Sequence, residues 1–371
     1  MRIVNGLIEA KELLSEGRGL DLVTVPPHVQ ATIDRVFGEP LTPSEAVTRI
    51  LGMVRADGDA AIRKLTLDIE GVELAAIEVS AEEIDVGYDS TDPRVIEALE
   101  VSAERVGRFH TAAKAQAWMD FNEGYGALVV PCGRVGIYVP GGTAPLPSTV
   151  IMSAVPARVA GVPEVILCTP SEKNGKPNPV TLAAAKIAGV DRVFGIGGAQ
   201  AIAAMAYGTE STPAVDMICG PGNLFVTLAK KMLYGEVGID GLYGPTETVV
   251  VADETANPTL CAADLLAQAE HDTLARPVLI TTSERIAQLV EKEAEARLER
   301  LERESIARAS MDEQGCIAIV DDLDEALELA NTFAPEHMSL MVRDPWAHVD
   351  KVRNAGAVFL GEHSHEVLGD Y

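Results

Sequence analysis

The sequence predicts an α/β protein built on parallel sheets, and three observations carry that reading. From about residue 129 onward, short β-branched runs end in Gly or Pro and pass into Ala-rich helices, several times over. One of these steps echoes another: Ala160-Gly161-Val162 followed by Val165-Ile166-Leu167 resembles Ala188-Gly189-Val190 followed by Val193-Phe194, an offset of about 28 residues that suits one βαβ step. The chain has 371 residues, 47% of them hydrophobic, enough to bury two cores, either as two domains or as one domain inserted into another.

The first 130 residues read as mainly helical scaffold. Thr42-Pro43-Ser44-Glu45 supplies a cap and a first-turn proline ahead of Ala46, Val47 and Ile50. A second helical block runs from Asp92-Pro93 to about Trp118, with Val95, Leu99, Val101 and Val106 near helical spacing. Residues 134–139 then form a strand that stops at Pro140-Gly141-Gly142, and a helix follows over 148–160. A further strand at 215–218 stops at Gly220-Pro221-Gly222-Asn223 and leads into a helix over 224–233. Strand, Gly-rich turn and helix in repetition imply a parallel sheet with right-handed crossovers, whose ligands sit where the turns line up at the carboxyl ends of the strands.

Those turns are the candidate nucleotide site. Gly195-Ile196-Gly197-Gly198-Ala199-Gln200 opens a helix after a strand, which suits a phosphate held by backbone N–H groups, although Gln200 stands where a dinucleotide fingerprint has its third glycine. Tight strand-to-helix packing is the competing explanation, and three Gly-rich turns on consecutive steps strengthen the cofactor reading. Tyr138, Gln200 and Asn223 lie at or beside these turns, as nucleotide contacts or as a half-buried strand tyrosine, a helix-start amide and a turn amide.

Beyond Gly244-Pro245-Thr246-Glu247 comes a strand over 248–252 and a helix with Asn257 as cap and Pro258 at its first position. Asp264, Gln268 and His271 follow i, i+4, i+7 spacing, so one helix face presents an amide oxygen and an imidazole, a start on a metal site or simply a polar helix end. Residues 284–309 read as one long, charged, solvated amphipathic helix. A strand at 316–320 and a helix at 322–331 lead to Ala334-Pro335-Glu336-His337, where proline makes Ala334 extended and an acid–imidazole pair falls on a loop before a strand at 338–342. A last strand, 356–361, delivers Asp370.

Bulk chemistry excludes several classes. With 30 basic and 56 acidic residues the formal charge is -26, and no basic stripe is present for nucleic acid to follow. The 5 cysteines, none in a Cys-x-x-Cys pair, read as free core thiols of a reducing cytoplasm. No signal peptide and no uncharged apolar stretch of the roughly 18 residues a membrane span needs is present.

Taken together, Tyr138-Val139-Pro140-Gly141-Gly142, Gly198-Ala199-Gln200, Gly220-Pro221-Gly222-Asn223, Gly244-Pro245-Thr246-Glu247, Leu266-Ala267-Gln268-Ala269-Glu270-His271, Ala334-Pro335-Glu336-His337 and Gly369-Asp370-Tyr371 resemble the histidinol dehydrogenase family over essentially the whole chain. The resemblance implies a zinc- and NAD-dependent enzyme of the last steps of histidine biosynthesis, oxidising L-histidinol to L-histidine through L-histidinaldehyde with two NAD⁺. It implies that Gln268, His271 and Asp370 bind zinc and, with His337 and Thr246, the substrate. Glu336 and His337 become the catalytic pair, and Tyr138, Gln200 and Asn223 the NAD contacts; Thr246 stands where the family usually has a serine. The implied fold is two incomplete Rossmann-like, aldehyde-dehydrogenase-like domains in an intertwined homodimer. Residues 134–244 would form a domain inserted into an outer one of 30–133 and 245–371, behind a helical dimerisation segment, 1–29.

Two departures from the family pattern add expectations. His365-Glu366 replaces the usual Pro-Glu, making His365 a surface residue or an added ligand. The family's tail, with an Asn-His motif and a further Glu and His, does not follow Tyr371, so the chain is expected to be C-terminally incomplete, its dimer and turnover in question. Two other readings are a family member acting on another primary alcohol, such as a sulfonated propanediol, and a non-catalytic remnant.

Overall fold

The computed structural model describes residues 1–15, 25, 27–141 and 145–369. It divides into two compact units, Leu20–Gly244 and Met1–Gly19 with Pro245–Tyr371.

The Leu20–Gly244 unit is built on a six-stranded sheet ordered Glu78–Val79, Arg192–Phe194, Glu164–Cys168, Arg134–Tyr138, Met217–Cys219, Gly238–Ile239. All pairings are parallel except that of the short edge strand Glu78–Val79, which runs antiparallel to Arg192–Phe194. Counted from Arg134–Tyr138 onward, the parallel strands lie third, second, first, fourth, fifth, so the order reverses between Arg134–Tyr138 and Met217–Cys219. The echoed steps of the sequence are the neighbouring strands Glu164–Cys168 and Arg192–Phe194.

The resemblance implied a domain of 30–133 with 245–371, whereas the compact units here keep 30–133 with 134–244. The helical span Pro43–Glu70, kinked at Gly58 and opened by the expected Thr42 cap, here a capping box with Glu45, sends Ile50, Val54, Ile62 and Leu65 into one core with Ile166, Phe194 and Ile202. Helix Pro93–Ala113 likewise puts Leu99 and Val106 into a core with Ile137, Val150 and Leu167 on the other face of the same sheet. Burial of those apolar faces assigns the helices to this sheet, and the division falls at Gly244. Trp118–Asp120 pairs with Tyr125–Ala127 as an antiparallel hairpin, which periodicity alone did not show.

The second unit is also a six-stranded sheet, wholly parallel, ordered Arg2–Asn5, Cys316–Ile319, Arg276–Thr281, Glu247–Ala252, His337–Met341, Ala357–Leu360. Of the 1–29 segment, residues 2–5 are thus a strand, and Leu7–Ser15 is helical. Val250, Leu279 and Ile317 face helices Pro258–Ala269, Glu284–Leu298 and Glu304–Glu313, whereas Val249, Val251, Val278 and Ile280 face Leu7–Ser15 and Leu323–Phe333. Covering both faces explains why Val249-Val250-Val251 is a continuous apolar run rather than an alternating one. The predicted helix over 284–309 is two helices, and its apolar face, Ile286, Val290, Ala294 and Leu298, is buried.

Candidate active site

Thr246 immediately precedes strand Glu247–Ala252, and Glu336 immediately precedes strand His337–Met341. These strands are parallel neighbours with Thr248 opposite His337, so Thr246, Glu336 and His337 meet at their amino ends. Gln268 joins them from the last turn of helix Pro258–Ala269, whose Asn257 cap and first-turn Pro258 are as expected. Thr246 Oγ1 lies 2.7 Å from Gln268 Oε1 and 2.7 Å from Glu336 Oε2, and its one proton serves one acceptor at a time. The Gln268 Nε2 group donates to Glu366 Oε2 and stands 3.1 Å from His337 Nδ1. Glu366 Oε2 is 3.5 Å from the same Nδ1, close enough to steady a charged imidazolium. Among the described residues, His337 Nε2 makes no hydrogen bond, which leaves it to a ligand.

The approach to this cluster is strained. Ala334, expected to be extended, has φ 52° and ψ 62° and caps helix Leu323–Phe333, its N–H donating to Ala330 O at 2.8 Å. Closing the helix overrides the preference of a residue before proline, and Ala334 is the one non-glycine with positive φ among the described residues. Gly356 completes the loop: its N–H donates to Pro335 O at 3.0 Å, and a Cβ there would stand 2.7 Å from Glu336 O.

The predicted Asp264–Gln268–His271 face does not form, because the helix ends at Ala269. His271 lies in the following turn and is exposed, while Asp264 and Gln268 are buried. Asp264 accepts from Ser339 Oγ at 2.9 Å and pairs with His365 Nε2 at 3.2 Å, so His365 is the partner of a buried carboxylate. Burial holds the Asp264 carboxyl above its usual range against the opposing effects of His365 and Ser339. Asp370 lies outside the described residues, and among those described no group of three or more His, Cys, Asp or Glu side chains could hold a metal.

The other predicted residues line a cavity of about 730 Å³ in the Leu20–Gly244 unit, bounded by Tyr138, Gln200, Asn223, Ile33, Phe37 and Glu70 among others. Tyr138 is 3% exposed, and its hydroxyl accepts the Gly198 N–H at 3.0 Å. Gly198 therefore does not offer that N–H to a phosphate. The glycines of this turn answer to packing: a Cβ on Gly195 would meet Ser171 Oγ at 2.5 Å, and one on Gly197 would meet Pro170 Cβ at 2.7 Å. Gln200 is 1% exposed and donates through Nε2 to Glu70 Oε1 at 3.0 Å. Asn223 caps helix Leu224–Leu233, accepting from the N–H groups of Phe225 and Val226.

At the reversal of strand order, Gly220 has φ +109°, and a Cβ there would lie 2.1 Å from Tyr138 O. Its N–H donates to Asp240 Oδ2 at 2.6 Å and its carbonyl accepts from buried Lys230 Nζ at 2.8 Å, fixing the turn that presents Asn223. The cysteines are free; burial pushes Cys261 and Cys219 up to about 12 and Cys316 up to about 11, which suits packing rather than nucleophilic roles.

Reading the sequence did not assign Glu366 or Glu70. Glu366 was visible only as part of a departure from a motif, and nothing local marks Glu70, which reaches Gln200 through the fold alone.

Residues 40–371 match the family model described as histidinol dehydrogenase. The chain belongs to the histidinol dehydrogenase family. A family relative from Deinococcus radiodurans is 48% identical over 375 residues, covering 100% of this chain and 85% of its own length. One from Aquifex aeolicus is 50% identical over 331 residues, covering 88% of this chain and 76% of its own. The crystal structure of the histidinol dehydrogenase from Elizabethkingia anophelis superposes with a TM-score of 0.90 at 33% identity, covering 100% of this chain and 82% of that one. The family's motifs and its fold are thus both present here.

Proposed function

We propose that this protein oxidises L-histidinol to L-histidine through L-histidinaldehyde, the last steps of histidine biosynthesis, with two NAD⁺ as hydride acceptors. The observation that carries this reading is the convergence of Thr246, Gln268, Glu336 and His337 from separate chain segments at the amino ends of two neighbouring strands. Such a cluster can hold an alcohol and move its proton. With its Nδ1–H turned to Glu366 Oε2, His337 takes the hydroxyl proton on Nε2, and Glu366 steadies the resulting imidazolium. The aldehyde stage needs water, and the exposed Glu336 carboxylate accepts a proton from it as it adds to the carbonyl carbon. Thr246 donates its one proton to Glu336 or to Gln268, so its hydroxyl can follow a change at either group.

The donor chemistry of Gln268, His271 and Asp370, an amide oxygen, an imidazole nitrogen and a carboxylate, fits zinc. Gln268 is 2% exposed with its amide fixed on both sides, and exposed His271 makes no side-chain hydrogen bond among the described residues, so both suit that role. Zinc bound there would supply a Lewis acid that anchors nitrogen and oxygen donors of the substrate. Tyr138, Gln200 and Asn223 line a cavity whose size suits part of a dinucleotide, which supports NAD binding.

We also read the protein as a cytoplasmic homodimer. Unpaired cysteines suit a reducing compartment, and exposed Phe121, Leu128 and Val130 around the Trp118–Tyr125 hairpin offer an apolar surface for a second copy.

The test is NAD⁺ reduction with L-histidinol and added zinc, with histidine quantified. Two NADH per histidine are expected. Reduction with another primary alcohol but not histidinol would move the reading to a different substrate, and no reduction with any alcohol by folded protein would end it.

A further inference from the structure

The cavity of the Leu20–Gly244 unit contains a carboxylate that the proposed chemistry does not use. Glu70 closes the long helix Pro43–Glu70, and its Oε1 accepts from Gln200 Nε2 at 3.0 Å. Among the described residues its Oε2 is buried without a hydrogen-bond partner, and no Lys or Arg forms an ion pair with it. A buried carboxylate oxygen with nothing to accept from is costly unless a ligand supplies a donor. Its surroundings say which donor. Glu70 stands against the Gly197–Gly198 turn, with Oε1 3.1 Å from where a Gly197 Cβ would be, so a carboxyl oxygen already occupies the side of the turn a phosphate would need. Ile33, Phe37, Ile69 and Val72 give the same cavity apolar walls suited to a flat base.

We propose that Glu70 is a specificity-determining residue of this cavity, accepting hydroxyl protons from a ribose of the bound dinucleotide and rejecting the 2′-phosphorylated form. This rests on the reading that the cavity binds NAD. It assigns Gln200 a second task, since its amide holds the carboxylate facing the ligand. Burial pushes the Glu70 carboxyl up to about 7, so a hydroxyl that favours the ionised form binds more tightly as pH rises through that value. Tyr138, His28, Glu172 and Lys173 line the same cavity; Tyr138 is engaged by Gly198, and Glu172 by Asn178.

The experiment is calorimetric titration of the full chain with NAD⁺ and with NADP⁺, from pH 6 to 8.5, for wild type, Glu70→Gln and His28→Gln. At pH 8 the wild type is expected to prefer NAD⁺ by about a hundredfold, the scale of a like-charge clash. Glu70→Gln is expected to weaken NAD⁺ binding about tenfold through loss of a charge-assisted bond, to tighten NADP⁺, and to flatten the pH dependence that His28→Gln keeps. An unchanged NAD⁺ to NADP⁺ ratio in a Glu70→Gln protein that still binds NAD⁺ would overturn the proposal. Wild type that binds neither nucleotide would overturn the reading of the cavity itself, and the proposal with it. Should Glu70→Gln not fold, Glu70→Asp withdraws the carboxylate by one methylene and is expected to lose NAD⁺ affinity while keeping discrimination; equal affinity would count against the role.

Discussion

Counted from Arg134–Tyr138 in one unit and from Glu247–Ala252 in the other, the two units carry the same strand order, third, second, first, fourth, fifth, with one added strand at the third-strand edge. They use it at opposite ends. In Leu20–Gly244 the cavity and its Gly-rich turns stand at the carboxyl ends, where the order reverses between Arg134–Tyr138 and Met217–Cys219, as open α/β sheets ordinarily bind ligands. In the other unit the corresponding reversal lies between Glu247–Ala252 and His337–Met341, and the cluster of Thr246, Gln268, Glu336 and His337 sits at the amino ends. At its carboxyl ends there is instead an acidic pocket in which Asp253 accepts from Arg343 N–H at 2.9 Å, a poor seat for phosphate. On the proposed reading, a repeated topology is given two jobs by the residues at its rims, so function is read from the site and not from the fold.

If the division of labour is right, His337→Asn should lower kcat for histidinol oxidation by about 10²–10⁴, the range of general-base removal, with NAD⁺ affinity by calorimetry unmoved. A large loss of NAD⁺ affinity would break the comparison. Gly220→Ala probes the other rim. It should cost roughly 3 kcal/mol in urea unfolding, from the clash with Tyr138 O and the positive φ together. Gly38→Ala, at φ +74° with nothing within 4 Å, isolates the conformational part and should cost about 1 kcal/mol. Equal losses for the two would mean that the close approach at the strand reversal is not tight in solution.

Thr246→Val should reduce kcat about tenfold by removing one hydroxyl, and Thr246→Ser should restore it; a variant indifferent to the hydroxyl would remove Thr246 from the cluster. The smallest effect expected is on stability against pH. The Glu70 carboxyl is raised from 4.5 to about 7 by burial, so its contribution to stability is fully present below 4.5 and is lost as pH rises through about 7. Unfolding midpoints should therefore fall between pH 5 and 8 more steeply for wild type than for Glu70→Gln, and parallel curves would show that the carboxyl is not buried.

Much of this was legible in the sequence. The parallel sheets, the caps at Thr42 and Asn257, and the turns carrying Tyr138, Gln200 and Asn223 follow from local patterns, because turn chemistry and apolar runs are short-range signals. What was not legible depends on long-range burial. Helix Pro43–Glu70 could have packed on either sheet until Ile62 and Leu65 met Ile202. The i+7 spacing of His271 meant one face only if the helix ran on, and it stops two residues short. Ala334 obeyed its helix end rather than its proline, and Glu70 reaches Gln200 across 130 positions of chain.

The strand Arg2–Asn5 pairs with Cys316–Ile319 at the edge of its sheet. During synthesis Arg2–Asn5 therefore waits for a partner more than 300 residues later, by which point every strand of Leu20–Gly244 has already emerged. The contiguous unit is expected to reach its native state on the ribosome before the interrupted one, whose strand Arg2–Asn5 stays unpaired until residues 316–319 have emerged. Protease protection of stalled nascent chains would reveal that order, and simultaneous protection of both units would rule it out. By the same reasoning, the edge that closes the second sheet is where an unpaired strand stays open longest to wrong partners.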